Sequence, residues 1–157
     1  MINYNYLLGV LAVLITMLMS SAYTSSSVNS EWYKCIKPTI TPPGFIFPIV
    51  WTCLYIIIGF IFSRIINDSY EHKGVLIILF SINLVLNILW CYLFFYKRNV
   101  KIGFLCILAL VLNTLCIYAI IPGISLKLFL VPYICWLLFA SYLNYATLSR
   151  YDMCRSY

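Results

Sequence analysis

Five long apolar stretches alternate with short polar segments along the chain. None of the five contains Lys, Arg, Asp or Glu, and each is 19 to 23 residues long. A helix needs about 20 apolar residues to cross a hydrocarbon core about 30 Å thick. The pattern therefore predicts an all-α fold, an integral membrane bundle of five transmembrane helices covering residues 4–22, 44–62, 74–96, 102–121 and 128–148.

The connections between these stretches are short, apart from the first. Short connections force neighbouring helices to run antiparallel, and too little chain remains for a second folded unit. We therefore expect residues 1–157 to form a single transmembrane domain. The first stretch ends in Ser20-Ser21-Ala22, which is similar to a signal-peptide cleavage site, but no Lys or Arg precedes it. We expect it to be retained as a helix, because a signal peptide carries positive charge ahead of its apolar core.

Composition narrows the function classes. The chain is 64% hydrophobic and 9% charged, with a mean hydropathy of +1.00, whereas soluble domains are about 25% charged. The five predicted spans also contain no histidine. Proton-coupled transporters and voltage sensors need ionisable side chains within the membrane, and acid–base catalysis relies mainly on the same groups. The pattern argues against all three classes.

The basic residues are unevenly distributed between the two sides of the predicted bundle. The side with the first loop, the connection at residues 97–101 and the C-terminal tail carries seven Lys and Arg residues, and the other side carries three. Basic loops favour the cytoplasm, so the first loop and the C-terminus are predicted to be cytoplasmic. The charges form no stripe with interleaved aromatic residues, so nucleic acid is not an expected partner. The expected partner is the lipid bilayer with its anionic headgroups.

Cysteine and histidine give little support for a metal or redox site. Five of the seven cysteines lie in predicted spans, while Cys35 lies in the first loop and Cys154 in the tail. The count is odd and no C-x-x-C occurs, so a disulfide framework or zinc site is not expected, and small apolar packing residues are the better interpretation. The single histidine, His72, has no adjacent ligand, so no metal site is predicted.

Aromatic and amide side chains recur at helical spacing on three spans. Aromatic faces, small residues and a few uncharged hydrogen-bonding groups suit a pocket for a flat apolar ligand. The alternative is ordinary helix packing through polar and small residues. The faces consist of Pro48, Trp51, Tyr55 and Gly59 on the second span, Asn83, Asn87, Trp90 and Phe94 on the third, and Tyr133, Trp136, Ala140 and Asn144 on the fifth.

The first loop ends in a proline-rich segment, KPTITPPG, at residues 37–44. Each proline fixes φ and restricts the residue before it, so this half of the loop is stiff. We interpret it as a lid over the mouth of the bundle, and the alternative is a plain connector with an interfacial tryptophan. The predicted lid residues are Trp32, Tyr33, Lys37, Pro38, Pro42 and Pro43.

Several blocks of the sequence carry a family resemblance. They are WY and KP in the first loop, TPPGFIFPIVWTCLYIIIG at residues 41–59, NILWCYLFF at 87–95 and PYICWLLFASYLNY at 132–145. With these blocks the chain resembles the translocator protein family, also called tryptophan-rich sensory proteins or peripheral benzodiazepine receptors (TspO/MBR). The resemblance spans nearly the whole chain.

The resemblance implies a five-helix bundle, often a homodimer, that binds porphyrin or haem, sterol-like lipids and synthetic benzodiazepine-type ligands beneath the lid. No cofactor is required, and porphyrin or haem is expected as a ligand. Combined with the aromatic faces, it gives a ligand-binding set of Trp51, Tyr55, Asn87, Trp90, Tyr133, Trp136, Ala140 and Leu143. The family's sterol-recognition pattern is met by Leu143, Tyr145 and Arg150.

The leading hypothesis is thus a membrane receptor or sensor for tetrapyrroles and sterol-like ligands. The alternatives are an enzyme that degrades porphyrin through Trp51 and Trp136, and a facilitative transporter of sterol or porphyrin. The chain departs from the family where Ile40 and Ile88 replace usual tryptophans. Only four tryptophans are present, so we expect weaker stacking on a porphyrin.

Overall fold

The computed structural model describes residues 4–154, which form six α-helices and one π-helical segment without any strand. Arg155, one of the basic residues in the charge count, lies outside the described residues. The helices are α1 (Tyr4–Ser25), α2 (Glu31–Ile36), α3 (Ile46–Asn67), α4 (Lys73–Cys91), the π-helix (Tyr92–Tyr96), α5 (Val100–Ile120) and α6 (Ile124–Tyr151).

Five of these helices, all except the short α2, are long and apolar enough to cross a membrane. The predicted fold class is therefore confirmed. The helices extend beyond the charge-free stretches, because flanking charged side chains can reach water while their backbone continues the helix. Arg64 illustrates this in the last turn of α3, where its guanidinium forms an ion pair with Asp68 at 2.7 Å.

Close helix contacts depend on small residues at two places. A Cβ atom at Gly9 on α1 would lie 2.6 Å from the Oγ of Ser63 on α3. A Cβ atom at Gly103 on α5 would lie 3.2 Å from the Cβ of Phe94. Small residues that let backbones approach are a usual device of membrane bundles, where lipid supplies no hydrophobic drive for helix association.

The bundle is asymmetric in how its helices meet. α1 packs against α3 and α4, and α5 packs against α4 and α6, whereas α3 meets α4 and α6 along shorter seams. The interior contains two connected clusters. The aliphatic cluster lies toward the end with the connection between α3 and α4, and the aromatic one lies beneath the first loop; Trp51 packs on both.

The π-helix closes the third span beneath the first loop. Lys97 N donates to the carbonyl of Tyr92 at 2.8 Å, and Arg98 has a φ of 52°, which lets the chain turn sharply into α5. π-helical segments are rare and often occur at functional sites. Phe94 and Phe95 are both buried here, and they form the floor on which the first loop rests.

The expectation of no disulfide is wrong. Cys35 and Cys154 are joined by a disulfide that links α2 to the segment after α6, with their Cα atoms 5.9 Å apart. They are 119 positions apart in sequence, so only the folding of the loop over the bundle brings them together. The five other cysteines are free. Cys91 and Cys106 are buried, as the packing interpretation predicts, whereas Cys53, Cys116 and Cys135 are exposed on the bundle.

Candidate functional site

The first loop folds over the bundle and is anchored by α2. Ser30 caps this helix by accepting a hydrogen bond from the Tyr33 N–H at 3.2 Å. Trp32 is only 2% exposed; its ring lies 5.9 Å from that of Phe94, and the Arg98 guanidinium lies 5.5 Å from its centroid. Ile36 is completely buried. Trp32 and Ile36 therefore fix the cover to the aromatic floor.

The other predicted lid residues lie nearer the surface. Tyr33 is half-buried against Phe95, and this burial raises the pKa of its hydroxyl. Pro38 and Pro42 are half-buried, while Lys37 and Pro43 are exposed. Arg150 donates a hydrogen bond to the Lys37 carbonyl at 3.1 Å, so the lid is also attached to α6.

Three aromatic residues of the predicted site lie close to one another or to the lid. The half-buried ring of Trp51 on α3 lies 6.2 Å from that of Trp90 on α4 and 5.4 Å from that of Tyr55. Trp90 in turn stacks on Phe94 at 6.1 Å. A continuous series of rings therefore runs from α3 through α4 to the floor of the lid.

A buried polar network joins α4, α5 and α6. Tyr133 donates to the Oδ1 of Asn83 at 2.9 Å and accepts from the Nδ2 of Asn87 at 2.8 Å. Asn83 also donates to Asn113 and Thr114 of α5, each at 2.9 Å. All five side chains are buried. Such hydrogen bonds between neighbouring helices are what the alternative of ordinary helix packing predicts. They satisfy both the nitrogen and the oxygen of the Asn83 amide.

Five buried side-chain polar atoms of the described residues make no hydrogen bond. Three belong to the predicted aromatic and amide faces, namely the Oδ1 of Asn87, the Nδ2 of Asn144 and the Nε1 of Trp136; the other two are the Oγ1 of Thr41 and the Oδ1 of Asn67. Trp90 connects two of these residues, because it lies one turn from Asn87 and donates to the Oδ1 of Asn144 at 2.9 Å. Trp136 lies two turns before Asn144 on α6, beside Phe47 of α3. One hydrogen-bond acceptor and two donors are therefore without a partner, or uncommitted, near the region where α3, α4 and α6 meet. We call this region the seam.

Such atoms are costly. A buried polar group without a partner destabilises a protein by about 1–3 kcal/mol, and hydrocarbon surroundings offer no water to relieve it. Native structures contain few of them, and each requires an explanation, such as a ligand that supplies the missing partner.

Some predicted residues point away from this seam. The Tyr55 hydroxyl donates to Ser20 of α1 at 3.4 Å, and Gly59 packs against Val13 of the same helix. In the sterol pattern, Leu143 is buried whereas Tyr145 is 62% exposed beside Phe104. Its third member, Arg150, bonds to the lid. The pattern therefore does not form one continuous face.

Ala140 and Leu143 are both buried on α6, and Ala140 belongs to the aromatic cluster beneath the lid. The predicted pocket requires small side chains that leave space for a ligand, and Ala140 is such a residue. Sequence reasoning missed Phe47 and did not include Asn144 in the ligand set. Asn144 carried a usable signal, since it is an amide in an otherwise apolar span.

Two open grooves lie elsewhere on the bundle. One of about 320 Å³ is lined by Phe60, Arg64, Tyr70 and the start of α6, and another of about 410 Å³ lies between α1, α3 and α4 on the lipid side. The predicted site residues line neither groove. Most of them belong instead to the two interior clusters, where Trp51 contacts both Trp90 and Tyr55. Among residues 4–154, no three His, Cys, Asp or Glu side chains gather as a metal site.

The fold and these side chains define a class: a multi-pass integral membrane protein whose aromatic and amide-lined interior lies beneath a loop-borne cover. The sequence model of the TspO/MBR family matches residues 8–150. The chain belongs to this family, which confirms the resemblance.

Relatives from several organisms are similar to this chain over most of their length. The "Tryptophan-rich protein TspO" of Archaeoglobus fulgidus is 37% identical, with 88% of this chain and 91% of the relative aligned. The protein of the same name from Chlorobaculum tepidum is 32% identical, with 88% and 93% aligned. The "Tryptophan-rich sensory protein" of Cereibacter sphaeroides is 28% identical, with 73% of each chain aligned.

Proposed function

We propose that this protein is a membrane receptor or sensor that binds a flat apolar ligand of the tetrapyrrole class, or a sterol-like ligand, between α3, α4 and α6 beneath the first-loop lid. The observation that carries the proposal is that three buried polar atoms, on Asn87 of α4 and on Trp136 and Asn144 of α6, make no hydrogen bond, while the neighbouring rings of Trp51 and Trp90 lie on α3 and α4. A ligand with polar groups on an aromatic or rigid apolar frame would satisfy both features at once.

The ligand class follows from the chemistry of the seam. Indole rings stack on a flat π system, which favours a porphyrin, and two donors with one acceptor can pair with its carboxylates or ring nitrogens. A sterol hydroxyl could use the same atoms one at a time. The described residues named for this seam include no Lys, Arg, Asp, Glu or His, so orientation depends on neutral hydrogen bonds and shape.

We expect ligand entry to require movement, and α3, which packs extensively on α1, is the helix that can part most readily from α4 and α6. It meets α4 and α6 along shorter seams than those between α4, α5 and α6. It also begins directly after the lid segment, so displacement of the lid and of α3 would be coupled. The lid then works as a cover that closes behind the ligand.

Trp136→Phe is the sharpest test. It keeps an aromatic ring and removes the indole N–H, which makes no hydrogen bond in the protein, together with part of the ring surface that packs on Phe47 and Phe139, so no internal hydrogen bond is lost. We expect protoporphyrin IX, measured by tryptophan quenching on protein in nanodiscs, to bind at least tenfold more weakly, or about 1.4 kcal/mol. Tyr145→Phe, at a 62% exposed residue, is the matched control and should bind normally.

Unchanged affinity in both Trp136→Phe and Asn87→Leu would contradict the proposed site. Cholesterol in place of porphyrin, tested with the same variants, distinguishes the two ligand classes. The enzymatic alternative predicts that illuminated protein with protoporphyrin IX yields a product with altered absorbance, and that Trp51→Phe fails to produce it. The transport alternative predicts porphyrin or sterol flux into liposomes that depends on the protein.

A further inference from the structure

The disulfide between Cys35 and Cys154 connects the first loop to the segment after α6. Cys35 is in α2, and the proline-rich segment that follows it leads directly into α3. Cys154 follows the end of α6 and is 2% exposed. The bond therefore ties the loop before α3 to the end of α6, and these two helices are opposite walls of the seam described above.

The segment between Cys35 and α3 is short and ordered. Thr41 N donates to the Pro38 carbonyl and Ile46 N donates to the Pro43 carbonyl, each at 3.0 Å, so two turns shorten a stretch that prolines already stiffen. A stiff tether transmits the constraint at its far end, whereas a flexible one would absorb it. With the disulfide intact, α3 and α6 cannot separate at the lid end without disrupting these turns.

We propose that Cys35 and Cys154 form a redox site that accepts two electrons from a dithiol reductant, and that reduction unlatches the lid so that α3 and α6 can part. The effect on ligand entry rests on the proposed function, whereas the release of the lid does not. Cys35 is half-buried and Cys154 is buried, so the Sγ of Cys35 is the atom that a reductant reaches.

The exchange is a two-step reaction. A thiolate of the reductant attacks the Sγ of Cys35, the bond between the two cysteines breaks, and Cys154 leaves as a thiolate that takes a proton from water. The second thiol of the reductant, as a thiolate, then attacks the mixed disulfide and releases Cys35, which is also protonated. The reductant ends as its own disulfide, and the protein has gained two electrons and two protons.

Reduction leaves the first half of the lid attached. Trp32 stays buried against Phe94, and the Ser27 hydroxyl still donates to the Phe95 carbonyl at 2.8 Å. Among the residues that the structure describes, the attachment to α6 then includes the hydrogen bond from Arg150 to Lys37 and the packing of α2 on α6. Residues 37–45 are thus the part that reduction should release, with α2 acting as the hinge.

The test uses the full chain in nanodiscs, either oxidised or treated with dithiothreitol. Thiols are trapped with N-ethylmaleimide, and the peptide that joins Cys35 to Cys154 is quantified by mass spectrometry. Two rates are then measured: hydrogen exchange of residues 31–45 and association of protoporphyrin IX by tryptophan quenching. Cys35→Ser and Cys154→Ser both remove the latch, so either remains informative if the other fails to fold. Cys116→Ser, at an exposed free cysteine of α5, is the control.

We expect reduction, Cys35→Ser and Cys154→Ser each to accelerate exchange of residues 37–45 and porphyrin association at least tenfold, with Cys116→Ser identical to the unmodified protein. Equal exchange in the oxidised and reduced states would overturn the latch, and so would absence of the linked peptide from protein trapped under oxidising conditions. Faster exchange without porphyrin binding in either state would instead leave the latch in place and contradict the proposed function.

Discussion

The indole N–H of Trp90 on α4 donates to the side-chain oxygen of Asn144 on α6 across 2.9 Å, inside the bilayer-spanning part of the bundle. The bond holds two walls of the proposed site in register. It also fixes the orientation of the Asn144 amide, because its oxygen is engaged and its nitrogen is therefore directed elsewhere.

The Trp90–Asn144 pair can be tested by a double-mutant cycle. Trp90→Phe removes the donor and leaves the whole buried amide of Asn144 without a partner, so it should destabilise the protein by about 1–3 kcal/mol. Asn144→Leu added to Trp90→Phe should cost less than the sum of the single changes, with a coupling of about 0.6–1.7 kcal/mol. Reversible unfolding in detergent measures each term. Strict additivity would mean that the bond contributes nothing.

Asn83 is the centre of the polar network, so its replacement should lower the free energy of unfolding more than replacement of its neighbour Tyr133. Asn83→Leu removes partners from Tyr133, Asn113 and Thr114 together, so we expect a loss of about 3 kcal/mol or more of unfolding free energy, about 1 kcal/mol for each hydrogen bond. Tyr133→Phe should cost less, because Asn87 keeps a bond to the Asn83 carbonyl at 3.1 Å. The reverse order in chemical unfolding would place the centre of the network at Tyr133.

A glycine pair tests the close contact between α1 and α3. Gly9→Ala would place a Cβ atom 2.6 Å from the Ser63 Oγ and 3.3 Å from the Ser63 Cα, so the hydroxyl must rotate and the helices must also move apart slightly, at a typical cost of about 1–3 kcal/mol. Gly74→Ala is the matched control, since it meets no atom within 4 Å and alanine is the better helix former. Thermal unfolding should therefore fall for Gly9→Ala and stay equal or rise for Gly74→Ala. An unchanged unfolding temperature for Gly9→Ala would show that α1 shifts freely on α3.

The spans could be predicted from sequence because a charge at the bilayer centre is costly, so charge-free runs mark the membrane-crossing segments. The buried face of the third span, which comprises α4 and the π-helix, was also predictable: Asn83, Asn87, Trp90 and Phe94 are all buried, as their spacing indicates. Periodicity gives the buried face of a helix but not the neighbour that it meets. For this reason Tyr55, grouped with Trp51 by spacing, bonds to Ser20 of α1 through its hydroxyl.

Features that depend on long-range placement were not predictable. The Cys35–Cys154 bond joins two polar segments far apart in sequence, and nothing in either segment indicates the other. α2 is only six residues long, so it carries too little periodicity to distinguish it from a loop. The three uncommitted polar atoms are likewise a property of packing, because asparagines with and without full partners look alike in the sequence.

The lid should loosen at high pH through Tyr33. Burial raises the pKa of this hydroxyl above its ordinary value of 10.0. The unfolded state therefore loses its proton first, and stability falls as the pH rises above about 10. We expect the unfolding temperature to drop less steeply between pH 9.5 and 11 in Tyr33→Phe than in the unmodified protein, with Tyr145→Phe as the control. Parallel curves for Tyr33→Phe and the unmodified protein would show that ionisation of Tyr33 is not coupled to folding.

The orientation of the bundle decides how the disulfide behaves in a cell, and the charge distribution of the sequence and the disulfide of the structure favour opposite compartments. The excess of basic residues predicts a cytoplasmic lid, where thiols are normally kept reduced. A membrane-impermeant amine reagent applied to intact cells should then label Lys73 and Lys127 on one side, and Lys34, Lys97 and Lys101 only after permeabilisation. With that result, N-ethylmaleimide trapping in cells should find Cys35 and Cys154 as thiols until an oxidant is added. The opposite labelling pattern would put the lid in an oxidising compartment, where the latch would stay closed and act as a permanent structural bond.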